Sequence, residues 1–117
     1  RDHPEGTGWA IEVDGLAVGG IGLKPGEDVH AKTANIGYWL GEPYWGRGIM
    51  TDAVRAVSGH ALSRLGFARV EAMVYEWNPA SMRVLEKCGF LREGVMRKNV
   101  FKDGELIDSV MFARVAG

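Results

Sequence analysis

The spacing of hydrophobic and polar positions changes several times along the chain, and each change marks an element. Trp9 to Val13 alternates, Leu16 to Leu23 does so more loosely, and the Asp14-Gly15 pair between them predicts a tight hairpin turn. Gly19, Gly20 and Gly22 inside the second run predict a bulge or a close backbone approach. No helical pattern follows that GGIG, so it does not read as a nucleotide loop. Lys24 to Lys32 reads as a loop and Thr33 to Leu40 as a third strand, which makes the opening an antiparallel meander. From Ile49 to Leu65 the period lengthens: Met50, Ala53, Val54, Val57, Ala61 and Leu65 recur at helical spacing. Asp52 suits the positive start of that helix, Gly66 is its expected stop, and Gly59 weakens its middle. Arg69 to Tyr75 alternates again and, lying across a helical crossover from Thr33–Leu40, is expected to pair parallel with it. Asn78 and Pro79 open a short helix that Gly89 closes, and Asp103-Gly104 predicts the tip of a last hairpin. The order predicts an α+β fold on one mixed, mostly antiparallel sheet.

Composition narrows the class without naming a chemistry. A length of 117 residues suits one domain with one core, and 46% hydrophobic with 25% charged residues is ordinary for a globular chain. A formal net charge of −1 gives no reason to expect nucleic acid or an anionic membrane as a partner. The single cysteine, Cys88, excludes an intramolecular disulfide and suits a reducing compartment, so the cytoplasm is the expected location. No metal site is expected.

The most informative stretch runs from Trp39 to Val57, where a strand ends at Gly41 and Gly46-Arg47-Gly48 lead directly into the long helix. Strand, glycine turn and helix start suit an anion: glycine admits a close ligand, and the first helical N–H groups have no internal partners. A Walker loop is excluded, because Ile49 and Met50 stand where lysine and a hydroxyl residue belong. A dinucleotide fingerprint fits poorly: Thr51 replaces its third glycine, although Glu71 lies near the expected acidic position. The pyrophosphate arm of coenzyme A is the third candidate, and a plain tight turn with no ligand is the fourth.

IGYWLGEPYWGRGIMTDAV followed by NPASMRVLEKCGF resembles the GNAT superfamily of acetyl-CoA-dependent N-acetyltransferases, in its ribosomal-protein N-terminal acetyltransferase (RimJ/RimL-type) branch. The likeness covers Trp9 to Ala113. It implies the GNAT fold, with a sheet splayed between Thr33–Leu40 and Arg69–Tyr75 and acetyl-CoA as co-substrate. Backbone groups of the strand Ile36 to Leu40, Trp39 and Leu40 among them, would take the pantetheine arm; Trp45, Gly46, Arg47, Gly48, Ile49 and Met50 would surround the pyrophosphate; Asn78 and Ser81 would face the thioester. The chain departs from the pattern at Pro43, where Gln or Arg is usual, and at Asn35, where branch members often carry an acid. Family members also carry a strand and one or two helices ahead of the first hairpin, at which this chain starts. One GNAT domain over residues 1–117 without those N-terminal elements is therefore expected, and their absence would remove one wall of the acceptor pocket.

Acetyl transfer to an amine needs a neutral nucleophile, stabilisation of the carbonyl oxygen and a proton for the departing thiolate. The resemblance gives the oxygen to amides along Tyr38–Leu40 and the proton to Ser81, which at the third helical position could instead only cap its helix. Glu42 and Glu76 are candidate bases by position, and His3, His30 and His60 by type alone. Cys88 reads as a small core residue. The acceptor implied is a protein or peptide N-terminus; a small amine such as an antibiotic or polyamine, or a non-catalytic acyl-CoA-binding role, are the alternatives. The final hairpin, at a sheet edge, is an expected homodimer contact.

Overall fold

A computed structural model describes residues 2–3, 6–28 and 31–116. Among them seven strands form one sheet: β1 (Asp2–His3), β2 (Gly6–Val13), β3 (Leu16–Pro25), β4 (Thr33–Leu40), β5 (Arg69–Tyr75), β6 (Leu91–Lys102) and β7 (Glu105–Val115). Their order across the sheet is β1-β2-β3-β4-β5-β7-β6. Every neighbouring pair is antiparallel except β4 and β5, which run parallel as the crossover requires. Two helices, α1 (Ile49–Ser63) and α2 (Pro79–Lys87), complete the chain, and a 3-10 turn at Glu42–Tyr44 leads into α1. Of the described helices, none is long and apolar enough to cross a membrane.

The alternation legible in the sequence sets which face each strand buries. Val70, Ala72 and Val74 of β5 and Ala34 and Ile36 of β4 point into one core with Val54 and Ala61 of α1, Leu85 of α2 and Phe90 and Phe112. Asn35, Gly37 and Trp39 of β4, with Met73 of β5, are exposed on the opposite face. Both helices thus share one side of the sheet. α1 ends at Ser63 rather than Leu65, since its last carbonyls are taken by Arg64, Leu65 and Phe67 as the chain turns through Gly66 at φ 81°. Leu65 is consequently exposed, not core. Ser58, at an apolar stripe position, is fully buried; its hydroxyl donates to the Val54 carbonyl at 2.7 Å and accepts from Arg114 of β7 at 2.7 Å.

The glycines of β3 mark a close approach. A Cβ on Gly19 would stand 2.4 Å from the Trp39 carbonyl oxygen, and one on Gly20 would stand 2.7 Å from the Trp39 indole nitrogen. A bulge is present too, where the partners of Ile11 and Glu12 skip from Gly19 to Ala17. β6 is an outer strand, so the last hairpin does form a sheet edge.

Gly19→Ala is expected to cost about 1–3 kcal/mol, since backbone rather than a flexible side chain must give way. Gly59→Ala should instead add up to ~1 kcal/mol, because its Cβ meets only Arg114 at an ordinary 3.9 Å and alanine suits a helix interior better. Urea unfolding of the two variants beside the parent checks both signs.

Candidate active site

The sheet opens between its two parallel strands. β4 pairs with β5 at Thr33–Arg69, Ala34–Val70 and Asn35–Glu71, and no rung follows, although both strands continue. Which groups the opening leaves bare follows from the other edge of β4. The Gly41 N–H donates to the Val18 carbonyl at 2.8 Å, in line with the β3–β4 register. Antiparallel pairs alternate in direction, so odd-numbered residues of β4 turn their backbone groups to β3 and even-numbered ones turn them to the β5 side. Tyr38 and Leu40 therefore aim N–H and C=O into the gap, where the Leu40 carbonyl accepts from the Trp45 indole at 2.7 Å.

At the mouth of the gap the chain turns through the 3-10 turn and two glycines in the left-handed region, Gly46 at φ 77° and Gly48 at φ 79°. A side chain would be strained at either position. The first backbone donor of α1 with a partner is Asp52, bonded to the Gly48 carbonyl at 3.0 Å. Among the described residues, the N–H groups of Gly46 through Thr51 have no hydrogen-bond partner. A helix start stripped of partners in this way carries partial positive charge directed at the cleft.

The other wall is α2. Asn78 caps it, its Oδ1 accepting the Ser81 N–H at 3.2 Å, and Pro79 fills the first helical position. The Ser81 hydroxyl is left for another partner and pairs with the Tyr38 hydroxyl at 2.7 Å across the cleft. Burial pushes the Tyr38 phenol above its ordinary 10.0, while the bond to Ser81 pulls the other way. The phenol is therefore neutral at physiological pH, able both to donate to Ser81 and to accept from it.

These elements enclose a cleft of about 700 Å³. Of the residues expected at the site, Tyr38, Trp39, Leu40, Trp45, Gly46, Gly48, Ile49, Met50, Asn78 and Ser81 all line it. Arg47 does not; its guanidinium lies 5.4 Å from the centre of the Tyr44 ring, outside the lining. Glu42 and Glu76 are exposed and off the cleft. His60 meets Trp9 edge-on at 6.2 Å, away from the site. His30 lies outside the described residues, as does the side chain of His3. Cys88 is buried in the core, and burial pushes its thiol up, against a role as nucleophile. Sequence reasoning missed Arg83 and Lys87 of α2, which line the cleft with Ala80 and Val84. Their signal was the i, i+3, i+4, i+7 stripe on the face away from buried Leu85.

A sheet held open between parallel strands, with bare helix amides at the mouth, offers an extended anionic ligand a free strand edge and a positive helix start. The chain belongs to the GNAT acetyltransferase family, whose acetyltransferase (GNAT) domain model matches residues 1–91. It is 49% identical over 82 residues to the probable N-acetyltransferase YjcK of Bacillus subtilis, covering 70% of this chain and 45% of that protein. It is 33% identical over 84 residues to the ribosomal-protein-serine acetyltransferase of Escherichia coli, covering 72% of this chain and 49% of that one. Its fold superposes on Mycobacterium smegmatis RimJ, solved in complex with CoA-disulfide, with a TM-score of 0.88 at 30% identity over 96% of this chain and 54% of that one. The chain spans about half the length of the curated relatives it matches.

A phenol whose pKa is higher folded than unfolded stabilises the fold fully below about pH 10 and loses that contribution as pH rises through the folded value. Tyr38→Phe should therefore flatten part of the alkaline loss of stability. Urea unfolding of both proteins between about pH 8 and about pH 11 reads the difference, and parallel curves would assign the decline to other groups.

Proposed function

We propose that this protein is an N-acetyltransferase that moves the acetyl group of acetyl-CoA to a primary amine, with a protein or peptide N-terminus as the acceptor. The observation that carries the reading is the coincidence, in one cleft, of the unzipped edge of β4 and the unpartnered amides from Gly46 to Thr51. A strand edge bonds an amide-bearing arm as it would another strand, and a bare helix start holds a diphosphate. Coenzyme A joins those two chemistries at that kind of spacing. Arg83 and Lys87 add cations along the same wall. The complex of RimJ with CoA-disulfide supports the ligand, and the E. coli relative that acetylates a ribosomal protein supports the acceptor class. The cytoplasm follows from that acceptor.

When bound, the co-substrate supplies an activated acetyl thioester. The residues of this chain do the rest. Tyr38 and Leu40 hold the ligand along β4 through the backbone groups they aim into the gap, and an amide of this pair stabilises the carbonyl oxygen as it gains charge. The cap of α2 directs the Ser81 hydroxyl into the cleft by taking its backbone N–H into Asn78. Ser81 gives a proton to the departing sulfur, and Tyr38, 2.7 Å behind it, restores that proton. Direct attack by the amine needs no nucleophile from the protein, consistent with the buried, raised Cys88 thiol.

The test is acetyl-CoA affinity by calorimetry together with free-thiol release against peptides beginning with different residues and against small amines such as spermidine. Peptide-dependent release is expected. Release with small amines alone would change the acceptor class, and binding without release for any amine would make the protein a binder. Ser81→Ala should slow turnover roughly a hundredfold with little change in acetyl-CoA affinity, the mark of a group needed only in the reaction.

A further inference from the structure

The last rung before the sheet opens carries the acidic residue that the anion-loop reading left without a role. Glu71 faces Asn35 across the β4–β5 pair, and that rung extends through the registers as Lys24, Asn35, Glu71, Ala113 and Leu91. By strand alternation Glu71 stands on the face opposite the helices, because Val70 and Ala72 are the buried neighbours. On that face, one step toward the gap, Gly22 pairs with Gly37, and two facing glycines leave a dip of about 390 Å³ beside Asn35. A Cβ on Gly37 would meet nothing within 4 Å. The cleft on the helix side is given to the thioester and Ser81. The dip is the open approach from the other side; Asn35 lines it, and Glu71 is the residue paired with Asn35 on β5.

The carboxylate is held rather than loose. Its Oε2 accepts from Arg69 at 2.9 Å, and Arg69 is fixed in turn by both oxygens of Glu93 at 2.7 and 3.0 Å. No hydrogen bond engages Oε1 among the described residues, and the side chain is only 22% exposed. We propose that Glu71 receives the acceptor amine entering over Gly37 and takes its proton. The inference rests on the acetyltransferase reading above. An ammonium arriving over the dip first gives one proton to solvent. The neutral nitrogen then bonds to the acetyl carbon and becomes far more acidic than a free amine. A carboxylate can accept that second proton. As the carbon–sulfur bond breaks, the thiolate takes one proton from Ser81, Tyr38 resupplies Ser81 and regains a proton from solvent, and Glu71 passes its own to solvent, so protons balance. Lys24, Arg69 and Glu93 are the other charged groups facing this rung.

Glu71→Gln keeps the shape and the oxygen toward Arg69 but removes the charge. With acetyl-CoA and a serine-led peptide as probes, kcat/KM is expected to fall at least tenfold, roughly the lower range for a lost general base. Its rise with pH should also change shape, while acetyl-CoA affinity by calorimetry stays at the parent value. Glu93→Gln, which loosens the same arginine without facing the dip, should keep the parent pH profile. A Glu71→Gln enzyme with parent kcat/KM and pH profile overturns the proposal and leaves the acetyltransferase reading intact. So does an equal loss in both variants, which would make the carboxylate a structural anchor of Arg69. A parent protein that releases no thiol with any amine overturns both.

Discussion

Everything in this structure depends on a pairing that stops. Backbone N–H and C=O groups buried without partners are costly, and two adjacent parallel strands would ordinarily zip along their whole length. Here each strand is held from its outer side instead. β3 pairs along β4 from Ala34 to Leu40, and β7 pairs along β5 from Arg69 to Tyr75. Both strands thus keep a full ladder on the outer side where their shared ladder has ended after three rungs. The missing Cβ of Gly19 matters for the same reason: it lets β3 lie close against the Trp39 carbonyl at the level where β4 has lost its other neighbour. The opening leaves the inner edge of β4 bare beyond Asn35.

The opening would be a simple slot without the loop that follows it. Gly46 and Gly48 hold left-handed conformations that start α1 with its donors unspent, and the short turn before them keeps those donors at the mouth of the slot. Under the proposed function, length and charge fall to separate devices, a strand edge for an amide-bearing arm and a helix start for phosphate. Side-chain charge is secondary here. Arg47, the cation in the loop, rests against Tyr44 while the backbone faces the cleft.

Much of this was legible in the residues because local rules and tertiary demands agree. Period-two runs and turn pairs placed β4 and β5 with their observed bounds, Thr33–Leu40 and Arg69–Tyr75, and the parallel pairing follows from the crossover. The cap at Asn78 and the stop at Gly66 were readable for the same reason. What escaped was decided by direction rather than by type. Arg47 looks like the phosphate ligand of its loop, but its stacking over the Tyr44 ring depends on how the turn folds. Glu71 looked like a weak match to a dinucleotide motif, and its place at the crotch of the fork is a property of strand register. The bond between Tyr38 and Ser81, residues far apart in sequence, depends on how α2 settles against β4.

Two direct bonds tie α2 to α1, from Arg55 to the Lys87 carbonyl at 3.1 Å and from the Cys88 thiol to the Thr51 carbonyl at 3.2 Å, and Arg114 braces both helices from the core. It leaves β7 on the helix-bearing side and donates to Ser58 inside α1, while its stem passes Gly89 just beyond the end of α2. Gly59, which looks like a flaw in the helix, lies beside the same guanidinium. One half-buried side chain therefore touches the middle of α1 and the tail of α2 at once, and it is anchored on the strand that pairs with β5. The two helix starts that matter, the bare amides after Gly46 and the hydroxyl of Ser81, lie at the opposite ends of those helices from this contact. A helix is stiff over so few turns, so fixing it at one point fixes where its first turn points. The core contact at Arg114 helps to fix where both helix starts stand along the cleft. Substitutions at Arg114 or Ser58 would thus act on the site from a distance, by changing the angle at which the two helices meet the fork.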